Sequence, residues 1–432
     1  MMKNISKYLL FYTLYIIFLF MCYKGYLTNV YAYYGFNNNI TFKSLLISFI
    51  IFTTVFIYIY KAKTESYSKL IVYVLLLINF IPSVVTFCFM PFDYTYLLYL
   101  VIYWAMMIIF VEMLNKIHIK SNLKLLKSNM INVYVVVFVE LMVVAIILLK
   151  YTGINLDFSD VYELRNNYFA TRIPTLLSYL FAAFKVINPL LFIYLYNCKK
   201  KLMSLLSLLV QIIAFLSDGS KSTLFSIILA FIIVKYFDRK KSKNLFKDEK
   251  IKYYIILGLF LINFIGFLEY YVFNSSILYN YFIRRLFFIP SLLNQCYYDY
   301  FSINTVDLFR QSILGKFGFV SPYNVQIQKI ISTVYFSSSD MLANNGLFSD
   351  AYMNLGKIGV FIMPFLVVLA FRILDYCSKN INSFYLITII ISVSYIFLSS
   401  SFFTVLLTHG YLLLCIILLC VIPRDMKGDF NE

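Results

Sequence analysis

The sequence predicts an all-α polytopic membrane protein: a single integral membrane domain over residues 1–432, with about twelve transmembrane helices and one large extracytoplasmic loop. Three observations predict it. The chain is 62% hydrophobic and only 13% charged, with a mean hydropathy of +0.82, a balance that a soluble domain of this length does not carry. Apolar runs recur near the length needed to cross a hydrocarbon core of about 30 Å. Lysine clusters fall in alternate gaps between those runs, as the positive-inside rule requires. The runs are too long and too uniformly apolar for the dyad alternation of an outer-membrane barrel.

Taken in order, the expected spans are roughly 7–23, 44–60, 70–90, 95–114, 130–150, 173–197, 202–217, 222–237, 252–273, 356–376, 383–401 and 404–422. Lys3 and Lys7 precede the first. No small-residue cleavage site follows that run, so it reads as a span rather than a signal peptide. Lys61, Lys63 and Lys69 mark one inward loop, and Lys116, Lys120, Lys124 and Lys127 the next. Lys199 to Lys201, then Arg239 through Lys252, mark two more, which places both termini in the cytoplasm. The net charge of +17 is carried by these loop lysines, so it orients the chain in the membrane and does not signal nucleic acid.

Two outward loops are long, about 151–172 and 274–355. The second is rich in Tyr, Phe, Ile and Leu, a composition that folds rather than stays disordered. Its segment Ile277–Ile289 reads as a helix lying at the membrane surface. The hairpin of spans 202–217 and 222–237 is short, about 24 Å per limb at 1.5 Å per residue. With Lys-bearing flanks on both sides, its turn, Ser217 to Ser222, belongs below the outer surface, where polar backbone needs a protein-lined cavity.

The arginines are the most telling charges. There are 8, against 29 lysines, within a Lys+Arg total of 37. Five of the 8, Arg165, Arg172, Arg284, Arg285 and Arg310, fall in the two expected outward loops. Lys orients a membrane protein as well as Arg does, whereas Arg binds phosphate bidentately. An outward site for an anionic, phosphate-bearing ligand therefore follows, with interfacial anchoring to lipid headgroups as the plainer reading. In the turn, Gly219, Ser220 and Lys221 open a helix whose free N–H groups and dipole suit an anion; an ordinary Ser N-cap is the plainer reading.

Asp350 and Asn354 stand i, i+4 in the polar stretch Asn344 to Gly359. Asp350 reads as a carboxylate facing a site or as part of a capped helix. Glu140 and Lys185 lie near the centres of the fifth and sixth spans. Buried charges are normally paired, so a structural Glu140–Lys185 ion pair is expected, with a proton relay as the alternative. His118 reads as solvated and His409 as a core residue. The 7 cysteines, at 22, 88, 198, 296, 377, 415 and 420, show no CxxC pattern, so neither a disulfide framework nor a zinc site is indicated. No Walker loop, no GxGxxG and no outward Asp-x-Asp cluster appears. No metal and no cofactor are expected.

The layout resembles the O-antigen and capsule repeat-unit polymerases of the Wzy type, which in turn resemble polytopic GT-C glycosyltransferases. The resemblance rests on the span count and the late outward loop, on Gly219-Ser220-Lys221-Ser222 where the family often has a Gly-Ser-Arg-Ser-like turn, on the Arg284-Arg285 pair, and on the stretch at 345–359. It covers most of the chain as topology and about thirty residues as motif. An Arg-x10-Gly motif, described in some members, is not found here.

The resemblance implies polymerisation of undecaprenyl-diphosphate-linked oligosaccharide units outside the cytoplasmic membrane. Membrane lipids surround the chain, and a chain-length regulator protein is an expected partner. A metal-independent transfer would rely on cations at the diphosphate leaving group: Arg165, Arg172, Arg284, Arg285 and Lys221. Asp350 is the candidate base for the acceptor hydroxyl, with Asp340 and Glu269 as rivals. Two alternatives are a flippase for the same lipid-linked unit, which would place charges within the spans, and an O-antigen ligase, whose expected outward His has no counterpart in the long loops.

Overall fold

The computed structural model describes residues 2–117, 129–153, 168, 171–236, 250–339, 341–379 and 381–423. Among these residues every regular element is helical. In chain order the helices are α1 (Met2–Cys22), α2 (Phe42–Lys61), α3 (Tyr67–Leu75), α4 (Ile81–Phe89), α5 (Tyr94–Lys116), α6 (Met130–Ile146), α7 (Thr175–Asn197), α8 (Lys201–Asp218) and α9 (Lys221–Tyr236). They continue as α10 (Lys250–Phe273), α11 (Ile289–Ile303), α12 (Ile327–Phe336), α13 (Phe348–Cys377), α14 (Ile387–Ser399) and α15 (Tyr411–Cys420). Wider π-helical turns extend α1 over Tyr23–Leu27, bridge α3 to α4 over Leu76–Phe80 and lead into α11 over Tyr279–Phe288.

Among the described residues nine helices are long and apolar enough to cross a membrane. The chain is thus an all-helical, polytopic membrane protein. Three of the twelve expected spans are shorter apolar helices instead, Ser222–Lys235, Ser383–Ser399 and Tyr411–Cys420. In α8 the 202–217 limb, read as short, reaches 18 residues.

The chain divides into two compact units. The first comprises Met1–Ile117, Phe246–Phe371 and Phe397–Phe402. Here α1 packs along α10, and α2 packs on α4. Thr41 caps α2 in a reciprocal box with Ser44, satisfying N–H groups that a helix start leaves open. At the other end of α2, the buried Lys252 ammonium donates to the carbonyls of Ile59 (3.0 Å) and Ala62 (2.6 Å). This lysine, read in the sequence as an inward-loop marker, acts as a C-terminal cap, where a cation suits the helix dipole.

The stretch 274–355, expected as an outward loop with helices at the membrane surface, carries several helices. Its α11 is buried along most of its length, from Pro290 to Tyr298, and packs on α4. Ser291, Asn294 and Gln295 interleave with Leu292, Leu293, Cys296 and Tyr297 and lower the local hydropathy. The stretch expected outside the membrane thus contributes a buried helix to the first unit. Helix α13 contains a break at Gly356, with φ 55° and ψ −137°, a conformation that is essentially glycine's own.

The second unit comprises His118–Leu245, Arg372–Ile396 and Phe403–Glu432. Its centre is α7, which packs against α8, α9 and α6. Helix α7 is buried almost continuously from Ile187 to Leu195, including Asn188 and Pro189. Gly410, with φ 69°, starts α15 against Ala183 of α7, and a Cβ there would clash with the Ala183 backbone.

Candidate functional site: an arginine in a tyrosine cluster

In the first unit the turns after α1 carry Tyr23, Tyr26, Tyr31, Tyr33 and Tyr34. Gly35, with φ 91°, ends this run in the left-handed conformation that glycine adopts without strain. The π-helical Tyr279–Phe288 segment faces it. That segment starts where it does because Glu269 holds it: the carboxylate accepts from the N–H groups of Ile277 (2.8 Å) and Leu278 (2.7 Å) and from the Ser275 hydroxyl (3.0 Å). Glu269, one candidate base, is engaged as this N-terminal cap.

Arg284 is thereby set beside the tyrosines. Its guanidinium lies over the Tyr31 ring, 4.4 Å from the centroid. Its Nε is buried and makes no hydrogen bond. Asn280, one turn earlier, accepts from the Tyr26 hydroxyl at 2.9 Å and from the Tyr31 hydroxyl. Tyr26 packs on Tyr279 at 4.2 Å and on Tyr270 at 4.8 Å between centroids. Tyr31 stacks on Tyr34, and Tyr33, 71% exposed, leans on Tyr34 at 4.4 Å. Desolvation and the neighbouring Tyr34 and Tyr31 raise the Tyr33 hydroxyl above its ordinary pKa, while Arg284 opposes them. The result is a cation fixed beside aromatic rings, of which Tyr33 is exposed, with its unbonded Nε buried beneath. Arg285, its neighbour, is exposed.

The other candidates of this unit are engaged in structure. Asp350 is buried; its Oδ2 accepts from the Phe402 N–H (2.8 Å) and its Oδ1 from Asn354 Nδ2 (2.9 Å). Asn354 also holds a loop: its carbonyl accepts from the Leu308 N–H (3.1 Å) and its Oδ1 from the Phe309 N–H (2.8 Å). Leu308 and Phe309 have φ of 55° and 59°, so this contact secures two side-chain-bearing residues in the left-handed region. Arg310 donates to the Asp307 carbonyl (2.7 Å) and the Val306 carbonyl (3.1 Å) of the same loop. Asp340 lies outside the described residues.

The sequence reading missed a buried network of neutral groups in this unit. Asn345 Nδ2 donates to Asn294 Oδ1 (3.0 Å) and Ser349 Oγ (2.8 Å), and Asn294 Nδ2 donates to Ser83 (3.3 Å). Asn79, polar within the apolar 70–90 run, was the available signal.

In the second unit the expected pairing of Glu140 with Lys185 is replaced by another. Lys185 forms its salt bridge with Asp218 and lies over the Phe181 ring at 4.7 Å. Glu140 accepts instead from Asn188 Nδ2, at 2.8 Å. At the turn, Gly219 ends α8 with φ 62°, and the Ser220 N–H is taken by Asp218 Oδ1 at 2.9 Å. This backbone donor, assigned in the sequence to an anion, serves the protein's own carboxylate. Arg172 is exposed just before α7. Arg165, His118 and the side chain of Lys221 lie outside the described part of the structure.

Among the described residues no group of three or more His, Cys, Asp and Glu is placed to hold a metal ion. Comparison of the chain with protein-family models, with curated proteins and with solved structures finds no match in any of the three.

Proposed function

We propose that the chain polymerises oligosaccharide repeat units carried on undecaprenyl diphosphate, as a glycosyltransferase at the outer face of the bacterial cytoplasmic membrane. The observation that carries the reading is the Arg284 guanidinium held over Tyr31 with its Nε unbonded. Such a cation is oriented before a ligand arrives, and preorganised charge is what a departing diphosphate requires. The bond from the sugar's anomeric carbon to the diphosphate oxygen breaks, a new bond forms to a hydroxyl oxygen of the incoming unit, and the hydroxyl's proton is taken up by the departing diphosphate. Exposed rings such as Tyr33 offer faces for sugars, and Arg285 adds a second cation. Asp350, held by Phe402 and Asn354, is assigned to structure rather than to catalysis.

A second reading, a flippase for the same lipid-linked unit, draws on the buried Glu140, Asn188 and Asp218 of the second unit and on the partly buried Lys185. One experiment separates them. The full chain is reconstituted in proteoliposomes with a lipid-diphosphate-linked oligosaccharide on the outer leaflet. The polymerase reading expects a ladder of longer lipid-linked glycans, without added metal. Transbilayer movement of the substrate with no ladder would favour the flippase and overturn the polymerase.

A further inference from the structure

We propose that Glu140, Asn188, Ser207 and Gln211 form a binding site for a monovalent alkali-metal cation in the core of the second unit, independent of the polymerase reading. Glu140 is fully buried in α6. Its Oε2 accepts from Asn188, but its Oε1 meets no donor. The nearest lysine along α7, Lys185, gives its ammonium to Asp218. A buried carboxylate oxygen with no donor and no cation is strongly disfavoured in an apolar bundle. A neutralising charge from outside the protein resolves it.

The surroundings select the kind of charge. Asn188 Oδ1 accepts from Ser207 Oγ at 2.9 Å, which leaves it a lone pair. Ser207 is itself fully buried, and its oxygen keeps acceptor capacity. Gln211 stands i, i+4 from Ser207 and so shares its face of α8. The Gln211 side chain is fully buried and spends its Nε2 on Lys185 O, Thr223 O and Ser226 Oγ, while its Oε1 has no partner. Glu140 meets the Asn188 amide, Ser207 meets the Asn188 oxygen, and Gln211 stands one turn from Ser207, so the two unpartnered oxygens, on α6 and α8, belong to one connected polar cluster around α7. The donor set is one carboxylate with neutral amide and hydroxyl oxygens, and all of these are hard ligands. One negative charge balances a monovalent ion. A divalent ion would leave an uncompensated positive charge beside the buried Val137, Val143 and Val144, within about a turn of Glu140 on α6, and Val210, one turn from Ser207 on α8.

The test measures thermal unfolding of the purified full chain in NaCl, KCl and choline chloride at equal ionic strength and fixed pH. The expected result is a saturable rise in Tm with Na+ or K+ but not with choline, which is lost in Glu140→Gln. If Glu140→Gln does not fold, Ser207→Ala carries the test. It removes one oxygen and keeps the carboxylate, so the half-saturating concentration should rise by about tenfold, a loss of one modest ligand. Equal Tm in all three salts would overturn the proposal. So would a Tm that ignores cations but depends on pH, with that dependence vanishing in Glu140→Gln, since a proton would then be the neutralising charge.

Discussion

Lys185 of α7 is salt-bridged to Asp218 at the end of α8, and Asn188, one turn further along α7, takes Glu140. Residue counting from the loop sets Glu140 and Lys185 at similar depth, but a lysine's four-carbon stem lets its ammonium reach away from its own Cα. Here it reaches the polar turn at Gly219. The carboxylate left behind is met by an amide. The pairing predicts a thermodynamic coupling. Lys185→Met and Asp218→Asn should each cost on the order of 1–3 kcal/mol, between an exposed and a fully buried pair, and the double variant should recover part of it. Folded yield and Tm report this. Additive losses at Lys185 and Asp218, or recovery of Lys185→Met by Glu140→Gln, would show that the pairing is wrong.

The two adjacent arginines should separate. Arg284 is half-buried and stacked, whereas Arg285 is exposed. Lys keeps charge but loses the planar fork and its face-to-ring contact. Under the polymerase reading, Arg284→Lys should cut long-chain glycan by about tenfold or more, corresponding to roughly 1.4 kcal/mol, at normal protein level. Arg285→Lys should have the smaller effect. Tyr31→Phe should keep the stack and Tyr31→Leu should not. The checking measurement is the chain-length profile of the surface polysaccharide on a gel. Equal profiles for wild type and Arg284→Lys would remove Arg284 from the site.

Asp350 should behave as a structural residue. Asp350→Ala abandons the buried Phe402 N–H, at a cost of about 1–3 kcal/mol for a group left unsatisfied, and leaves Asn354 Nδ2 only the residue-350 carbonyl. Unfolding should therefore occur at lower temperature or denaturant. A variant with wild-type Tm and no polymer would instead restore the catalytic assignment.

Asn354 and Gly356 should control the same loop and helix. Asn354→Ala removes the side-chain acceptor of the Phe309 N–H and keeps only the backbone carbonyl that takes the Leu308 N–H, so the left-handed pair is held at one point instead of two. Limited proteolysis should then cut near 305–327 sooner than in wild type. Gly356→Ala places a Cβ at φ 55° and ψ −137°, a region costing about 1–3 kcal/mol for other residues, so Tm should fall although the site is not crowded. Unchanged Tm would mean that the α13 break is not formed.

The sequence by itself determined the membrane class, because hydropathy and length are local properties that a bilayer reads directly. It also located most of the apolar helices, and it singled out Arg284 by its residue type in an unusual place. Pairing was decided by the tertiary structure. Which donor meets Glu140, what Asp350 holds, and how deeply 289–303 is buried depend on which helix faces lie against one another. Neutral Asn and Ser groups make that choice hard to read in a hydropathy profile, since they lower the score of a segment whether they meet water or one another. Only the packed structure shows Asn294 bonded to Asn345 and Ser83 inside the protein, because the partner that satisfies a buried amide is distant in sequence and is selected by geometry.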